Sequence, residues 1–171
     1  MHNFSFDPLS FDHLNRLHRW LQKPHVREFW DDGDRTLEDV KQHYFYRSNV
    51  HSWIASIQGE PFAYLQMSLI SENDEMAMWR DREKNTLGID LFIGETRYLG
   101  KKLSVPLINA FITQCLKNYF PCRILVDPDS ENTRAIKTYL NAGFTTLGEL
   151  KLNGKLHLIL IKECGNHDKN A

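Results

Sequence analysis

The chain has 171 residues, 42% of them hydrophobic, and a formal net charge of −1. That length and apolar content predict one domain over 1–163 with a polar tail over 164–171. The near-neutral balance excludes a general electrostatic affinity for nucleic acid or an anionic membrane, and no apolar run approaches the roughly 18 residues of a membrane span.

In chain order, Asn3-Phe4-Ser5-Phe6 alternates as a short strand does. Ser10 is placed to cap a helix that carries Leu14, Leu17, Trp20 and Leu21 on one face. Lys23-Pro24 ends it, because the residue before proline is pushed out of the helical region. Thr36 followed by Leu37-Glu38-Asp39 reads as the capped start of a second helix. His51 to Ile57 and Pro61 to Leu69 read as strands joined by the tight turn Gln58-Gly59-Glu60. Residues 70–86 show no clear periodicity and predict a long loop, with Met76, Met78 and Trp79 set in polar surroundings. Asn153-Gly154 is a strong hairpin signal between Leu147–Leu152 and Lys155–Ile161.

The densest pattern lies between Leu87 and Phe144. Leu87-Gly88-Ile89-Asp90-Leu91-Phe92-Ile93-Gly94 is an apolar strand interrupted by one carboxylate. Leu99-Gly100-Lys101-Lys102-Leu103-Ser104 follows and opens an apolar helix over Val105–Leu116. Arg123–Val126 reads as a strand ending in Asp127-Pro128-Asp129-Ser130-Glu131-Asn132. A helix follows from Arg134 to Ala142, closed by Gly143. From Arg97 to Lys117 there are four bases and no acid, which suits an anion at a helix start. A solvated basic helix start gives the same pattern.

Two stretches are acidic: Glu28, Asp31, Asp32, Asp34, Glu38 and Asp39 in one, Glu72, Asp74, Glu75, Asp81, Glu83 and Asp90 in the other. Such runs form either solvated faces or the walls of a polycation site. Asp90 sits in an otherwise apolar strand, where a carboxylate is uncommon without a purpose; an aspartate on the solvent face of a strand end is the plainer alternative. The three cysteines, Cys115, Cys122 and Cys164, are odd in number and lack C-x-x-C spacing. Free thiols in a reducing cytoplasm are expected, and the first residues lack the basic-then-apolar pattern of a signal peptide. No histidine pattern has metal-binding spacing, so no metal is expected.

These motifs, with an early Trp20-Leu21 and Pro24-His25-Val26 leading to Glu28-Phe29-Trp30, resemble the GNAT N-acetyltransferase superfamily, and within it the aminoglycoside 6'-N-acetyltransferases. The resemblance implies an α+β GNAT fold, a mixed and mostly antiparallel central sheet flanked by helices. It implies acetyl-CoA as co-substrate, a small polycationic acceptor, and a monomer or homodimer. By resemblance, Asp90 is the general base and Tyr139 the acid for the coenzyme thiolate; an amphipathic helix aromatic beside Ile136 and Leu140 is the bland reading of Tyr139. Coenzyme binding falls on Leu91, Phe92, Ile93, Leu99, Gly100, Lys101, Lys102, Leu103, Ser104, Asn132 and Ala135. Acceptor binding falls on Trp30, Trp79, Asp90 and Asp127, with Trp30 equally readable as core. The family's loop carries glycines where this chain has Lys102 and Ser104, and the expectation is weaker or slightly displaced coenzyme binding. Other readings share the pattern: a hydroxamate siderophore N-acyltransferase acting on an N6-hydroxylysine-like amine, a ribosomal-protein or N-terminal acetyltransferase of the same superfamily, and a non-catalytic acyl-CoA-binding domain.

Overall fold

The computed structural model describes residues 3–30 and 33–165. Asp31 and Asp32 of the first acidic stretch, and residues 166–171 of the expected tail, lie outside the described residues. The strands are β1 (Phe4–Pro8), β2 (Val50–Ile57), β3 (Glu60–Leu69), β4 (Asn85–Ile93), β5 (Cys122–Val126), β6 (Thr145–Leu152) and β7 (Lys155–Cys164). The helices are α1 (Leu14–Leu21), α2 (Pro24–Arg27), α3 (Leu37–Phe45), α4 (Ser104–Tyr119) and α5 (Thr133–Asn141). The strand order is β1-β2-β3-β4-β5-β7-β6. β4 and β5 pair in parallel, with α4 as the crossover that parallel strands require. β1–β2, β5–β7 and β6–β7 are antiparallel.

Local chemistry explains most boundaries. Thr36 caps α3, its hydroxyl accepting from the Asp39 amide, while the Asp39 carboxylate accepts from the Thr36 amide at 2.8 Å. Asn132 caps α5 through the Ala135 amide at 3.1 Å. The β2–β3 and β6–β7 turns place Gln58-Gly59 and Asn153-Gly154 at positive φ, the geometry that matches strand twist in a two-residue hairpin loop. Lys23 is extended and the first helix ends before it, as expected; Pro24 then opens α2, because proline suits the first helical position, where its missing N–H costs nothing. One expectation needs correction. The stretch 70–86 is not loop throughout, since Ala77–Trp79 forms a 3-10 turn and β4 begins at Asn85. β7 runs to Cys164, past the strand end expected at Ile161.

The chain divides into two compact units. One is Met1–Gln66 with Asp90–Leu103, the other Met67–Ile89 with Ser104–Ala171. Each takes chain from two stretches, so no single cut separates them. The first packs Leu17, Trp20, Leu21, Val26, Val40, Tyr44, Ile54, Tyr64 and Phe92 into one core. The second packs Ile70, Leu125 and Ile159 with Met76, Trp79, Leu150 and Ile161. It also holds the three cysteines, all free and buried. Among the described residues no helix is long and apolar enough to cross a membrane.

Candidate functional site

In the first unit, the C-terminal end of β4 is held by side chains from the opening helices. His25 Nε2 donates to the Ile93 carbonyl at 2.8 Å. Lys23 Nζ donates to the Gly94 carbonyl at 2.8 Å and pairs with Glu95 at 3.3 Å. Trp20 Nε1 donates to Glu95 Oε1 at 2.8 Å. The Trp20 bond, and Lys23 after it, keep the Glu95 carboxyl below its ordinary range. A Cβ on Gly94 would lie 2.1 Å from a Trp20 ring atom, so only glycine fits. The early tryptophan-to-histidine motif thus serves to fix the strand end just before the candidate coenzyme loop. Sequence reading places none of these contacts, although Gly94 and Glu95 closing an apolar strand were a usable signal.

Asp90 is part-buried on β4, and Gln66 Nε2 donates to its Oδ2 at 3.3 Å. The same unit holds an aromatic cluster. The Trp30 ring meets Phe92 at 4.9 Å and Tyr64 at 5.8 Å, both edge-on, and its Nε1 donates to the Tyr44 hydroxyl at 2.9 Å. Trp30 is therefore packed against core residues while keeping partial exposure. The loop Leu99–Leu103 turns through two left-handed residues, Gly100 at φ +70° and Lys102 at φ +56°. The lysine adopts the backbone that a glycine would hold without strain, so the turn is kept despite the substitution. Lys101 and Lys102 are exposed. A loop with left-handed turns and exposed positive charge suits a phosphate, and these residues fit the coenzyme they are expected to hold.

In the second unit, Ser104 opens α4. The Asn132 side chain is engaged as the α5 cap, and the Ala135 amide is its donor. Tyr139 is buried, its ring edge-on to Phe144 at 5.4 Å. Trp79 lies against β6, where a Cβ on Gly148 would be 3.2 Å from the indole, and the Trp79 carbonyl accepts from Arg123 Nη1 at 2.8 Å. Arg123 also pairs with Asp81 at 3.4 Å and Glu163 at 2.7 Å. Glu72 pairs with Arg80 at 3.4 Å, so part of this acidic stretch is balanced locally.

Asp127 follows β5 with its side chain 23% exposed. His157 Nδ1 donates to the Asp127 backbone carbonyl at 2.6 Å and lies 3.8 Å from Oδ2. Burial pushes the Asp127 carboxyl up to about 6, and the negative charges of Asp74 and Glu75 push the same way. A cationic ligand beside it would relieve both effects. Asp90, Leu91, Phe92 and Ile93 adjoin on β4, and Trp30 packs against Phe92, all in the first unit. Trp79, Asp127, Asn132, Ala135 and Tyr139 belong to the second. No group of three potential ligands able to hold a metal occurs among the described residues.

Comparison with known proteins defines the class. A family model described as an acetyltransferase (GNAT) domain matches residues 11–152. The chain belongs to the GNAT acetyltransferase family, an acyl-CoA-dependent N-acetyltransferase with acetyl-CoA as co-substrate. Aminoglycoside N(6')-acetyltransferase type 1 of Klebsiella pneumoniae is 30% identical over 142 residues, covering 79% of this chain and 70% of that protein. A spermine/spermidine N(1)-acetyltransferase of Bacillus subtilis is 28% identical over 127 residues, covering 74% of this chain and 76% of that protein. The crystal structure of an aminoglycoside acetyltransferase in complex with coenzyme A superposes with a TM-score of 0.83 at 25% identity, covering 94% of this chain and 95% of that one.

Proposed function

We propose that this chain is an aminoglycoside 6'-N-acetyltransferase, a cytoplasmic enzyme that confers antibiotic resistance by acetylating the drug. The observation that carries this reading is Asp90, a part-buried carboxylate on an otherwise apolar strand, with one oxygen held by the Gln66 amide at 3.3 Å. An amine attacks a thioester only as the free base, and a positioned carboxylate can take up the ammonium proton directly or through one water. Acetyl-CoA supplies an activated acetyl group whose bond to sulfur breaks as the bond to nitrogen forms. The backbone N–H of Leu91 or Phe92 is the donor proposed for the developing oxyanion, and Tyr139 the proton source for the leaving thiolate. Leu91–Ile93, Leu99–Ser104, Asn132 and Ala135 are assigned to the coenzyme. Asp127, Trp30 and Trp79 are assigned to the acceptor, carboxylate for amines and indoles for sugar faces.

A polyamine acceptor is the second reading, favoured by the spermine/spermidine relative. Both acceptors are polycations and both suit Asp127. Thiol release from acetyl-CoA separates them, measured with kanamycin, spermidine and N6-hydroxylysine in parallel. Release with kanamycin at a kcat/KM at least tenfold above the other two is expected. A preference for spermidine moves the assignment to polyamine metabolism, a preference for the hydroxylamine to siderophore assembly. Silence with all three, while calorimetry shows acetyl-CoA binding, leaves a non-catalytic acyl-CoA-binding protein.

A further inference from the structure

Beyond Gln66, a part-buried polar network leads away from Asp90 to a residue that no motif singles out. The Tyr64 hydroxyl donates to Gln66 Oε1 at 2.9 Å. Arg47 Nη2 donates to the same oxygen at 3.0 Å and to the Tyr64 hydroxyl oxygen at 3.1 Å. Ser52 Oγ lies 2.8 Å from that hydroxyl. The Arg47 guanidinium stands over the Tyr44 ring, 5.0 Å from its centroid. Tyr64 is fully buried, and burial pushes its phenol up to about 12, so the hydroxyl remains protonated and able to donate.

The donor and acceptor inventory gives this network a direction. A guanidinium has only donors, so the amide of Gln66 can turn only its oxygen toward Arg47. The NH2 is then left to face Asp90. With the amide reversed, NH2 would oppose the guanidinium and the carbonyl would oppose the carboxylate, two unfavourable pairs instead of two hydrogen bonds. Arg47 and Tyr64 between them hold the oxygen from two sides.

We propose that Arg47 is a positioning residue for acetyl transfer: it locks the Gln66 amide, directly and through Tyr64, and the locked amide holds the Asp90 carboxylate ready for the acceptor amine. The proposal rests on the assignment of Asp90 made above. Arg47 is given no contact with either substrate, so its removal lowers kcat while acetyl-CoA affinity stays put.

The test uses the full chain, acetyl-CoA, and kanamycin with spermidine in parallel. Arg47→Met is expected to lower kcat about tenfold, with the acceptor KM and the acetyl-CoA Kd each changed less than twofold. Arg47→Lys, which keeps a charged donor, is expected to recover at least half of the loss. In a Gln66→Leu background, Arg47→Met is expected to add less than a twofold loss, because the link is already cut. If Arg47→Met does not fold, Tyr64→Phe carries the test with an expected loss of about threefold. Asp90→Asn is run alongside to separate the two claims. Loss of turnover in Asp90→Asn with wild-type kcat in folded Arg47→Met, or in Tyr64→Phe if that variant stands in for it, overturns the positioning role alone. Independent, multiplicative losses in the double variant overturn it as well. Full turnover in Asp90→Asn, or no release with either amine, overturns the Asp90 assignment and the proposal with it.

Discussion

Asp90 and Asp127 are both part-buried carboxylates at or near the end of a strand, and their surroundings differ in kind. Asp90 receives a donor: Gln66 bonds one oxygen, and behind it Tyr64 and Arg47 fix the amide. At Asp127 the donor to the carboxyl is its own backbone N–H, His157 donates to the backbone carbonyl, and Asp74 and Glu75 add negative charge nearby. A carboxylate oriented by a neutral amide keeps its direction whether or not a ligand is present. A carboxylate pressed by burial and like charge gains most from an incoming cation. The same residue type is thereby suited to chemistry in one place and to recognition in the other.

The strongest way to break that contrast is to disturb the strand under Asp90. Gly94→Ala puts a methyl group 2.1 Å from a Trp20 ring atom in a core where the indole is fully buried. A loss of about 3 kcal/mol is expected from overpacking, read as a shifted urea midpoint at constant slope.

A smaller effect sharpens the Asp127 side. Its carboxyl lies at about 6 in the folded chain against an ordinary 3.8. Between those values the folded state holds a proton that the unfolded chain has released, so this group's contribution to stability falls as pH rises through the window. Acceptor affinity moves the opposite way, strengthening as pH rises through about 6 and Asp127 ionises. Calorimetry with kanamycin from pH 5 to 7.5 is expected to show this rise, and Asp127→Asn to weaken binding about tenfold at pH 7 and flatten the profile. An unchanged profile in the variant assigns the titration to another group.

The smallest effect concerns the loop. Lys102 at φ +56° bears the cost of a left-handed backbone that glycine avoids. Lys102→Gly is expected to stabilise the folded chain by about 0.5 to 1 kcal/mol, the strain relieved less the added entropy of the unfolded state. A destabilised variant in thermal unfolding would mean that the lysine side chain contributes more than its backbone costs.

Much of the fold was legible because it is written locally. Thr36 and Asp39, Asn132, and the turns at Gln58-Gly59 and Asn153-Gly154 act within a few residues of themselves. The family was legible because its motifs sit on separated segments that share no local cause. Lys23-Pro24 was rightly read as ending one helix; that Pro24 also opens the next was not, because a four-residue helix leaves no periodicity. The remainder lay in long-range pairing. Trp20, Lys23 and His25 meet residues 93–95 across a gap of some seventy positions, and no periodicity reports that. Tyr64 and Gln66 left a fainter trace, two polar-tipped residues two apart on one face of β3, but Arg47 gave no sign of joining them.

The central claim is that Asp90 is what makes the acceptor amine reactive. It is tested most directly by Asp90→Asn in single-turnover acetyl transfer to kanamycin, with acetyl-CoA binding followed in parallel by calorimetry. The account predicts a rate lower by about 10² to 10³, the range of a lost general base, with acetyl-CoA affinity within twofold of the wild type. A rate equal to the wild type in a variant that still binds acetyl-CoA would contradict it.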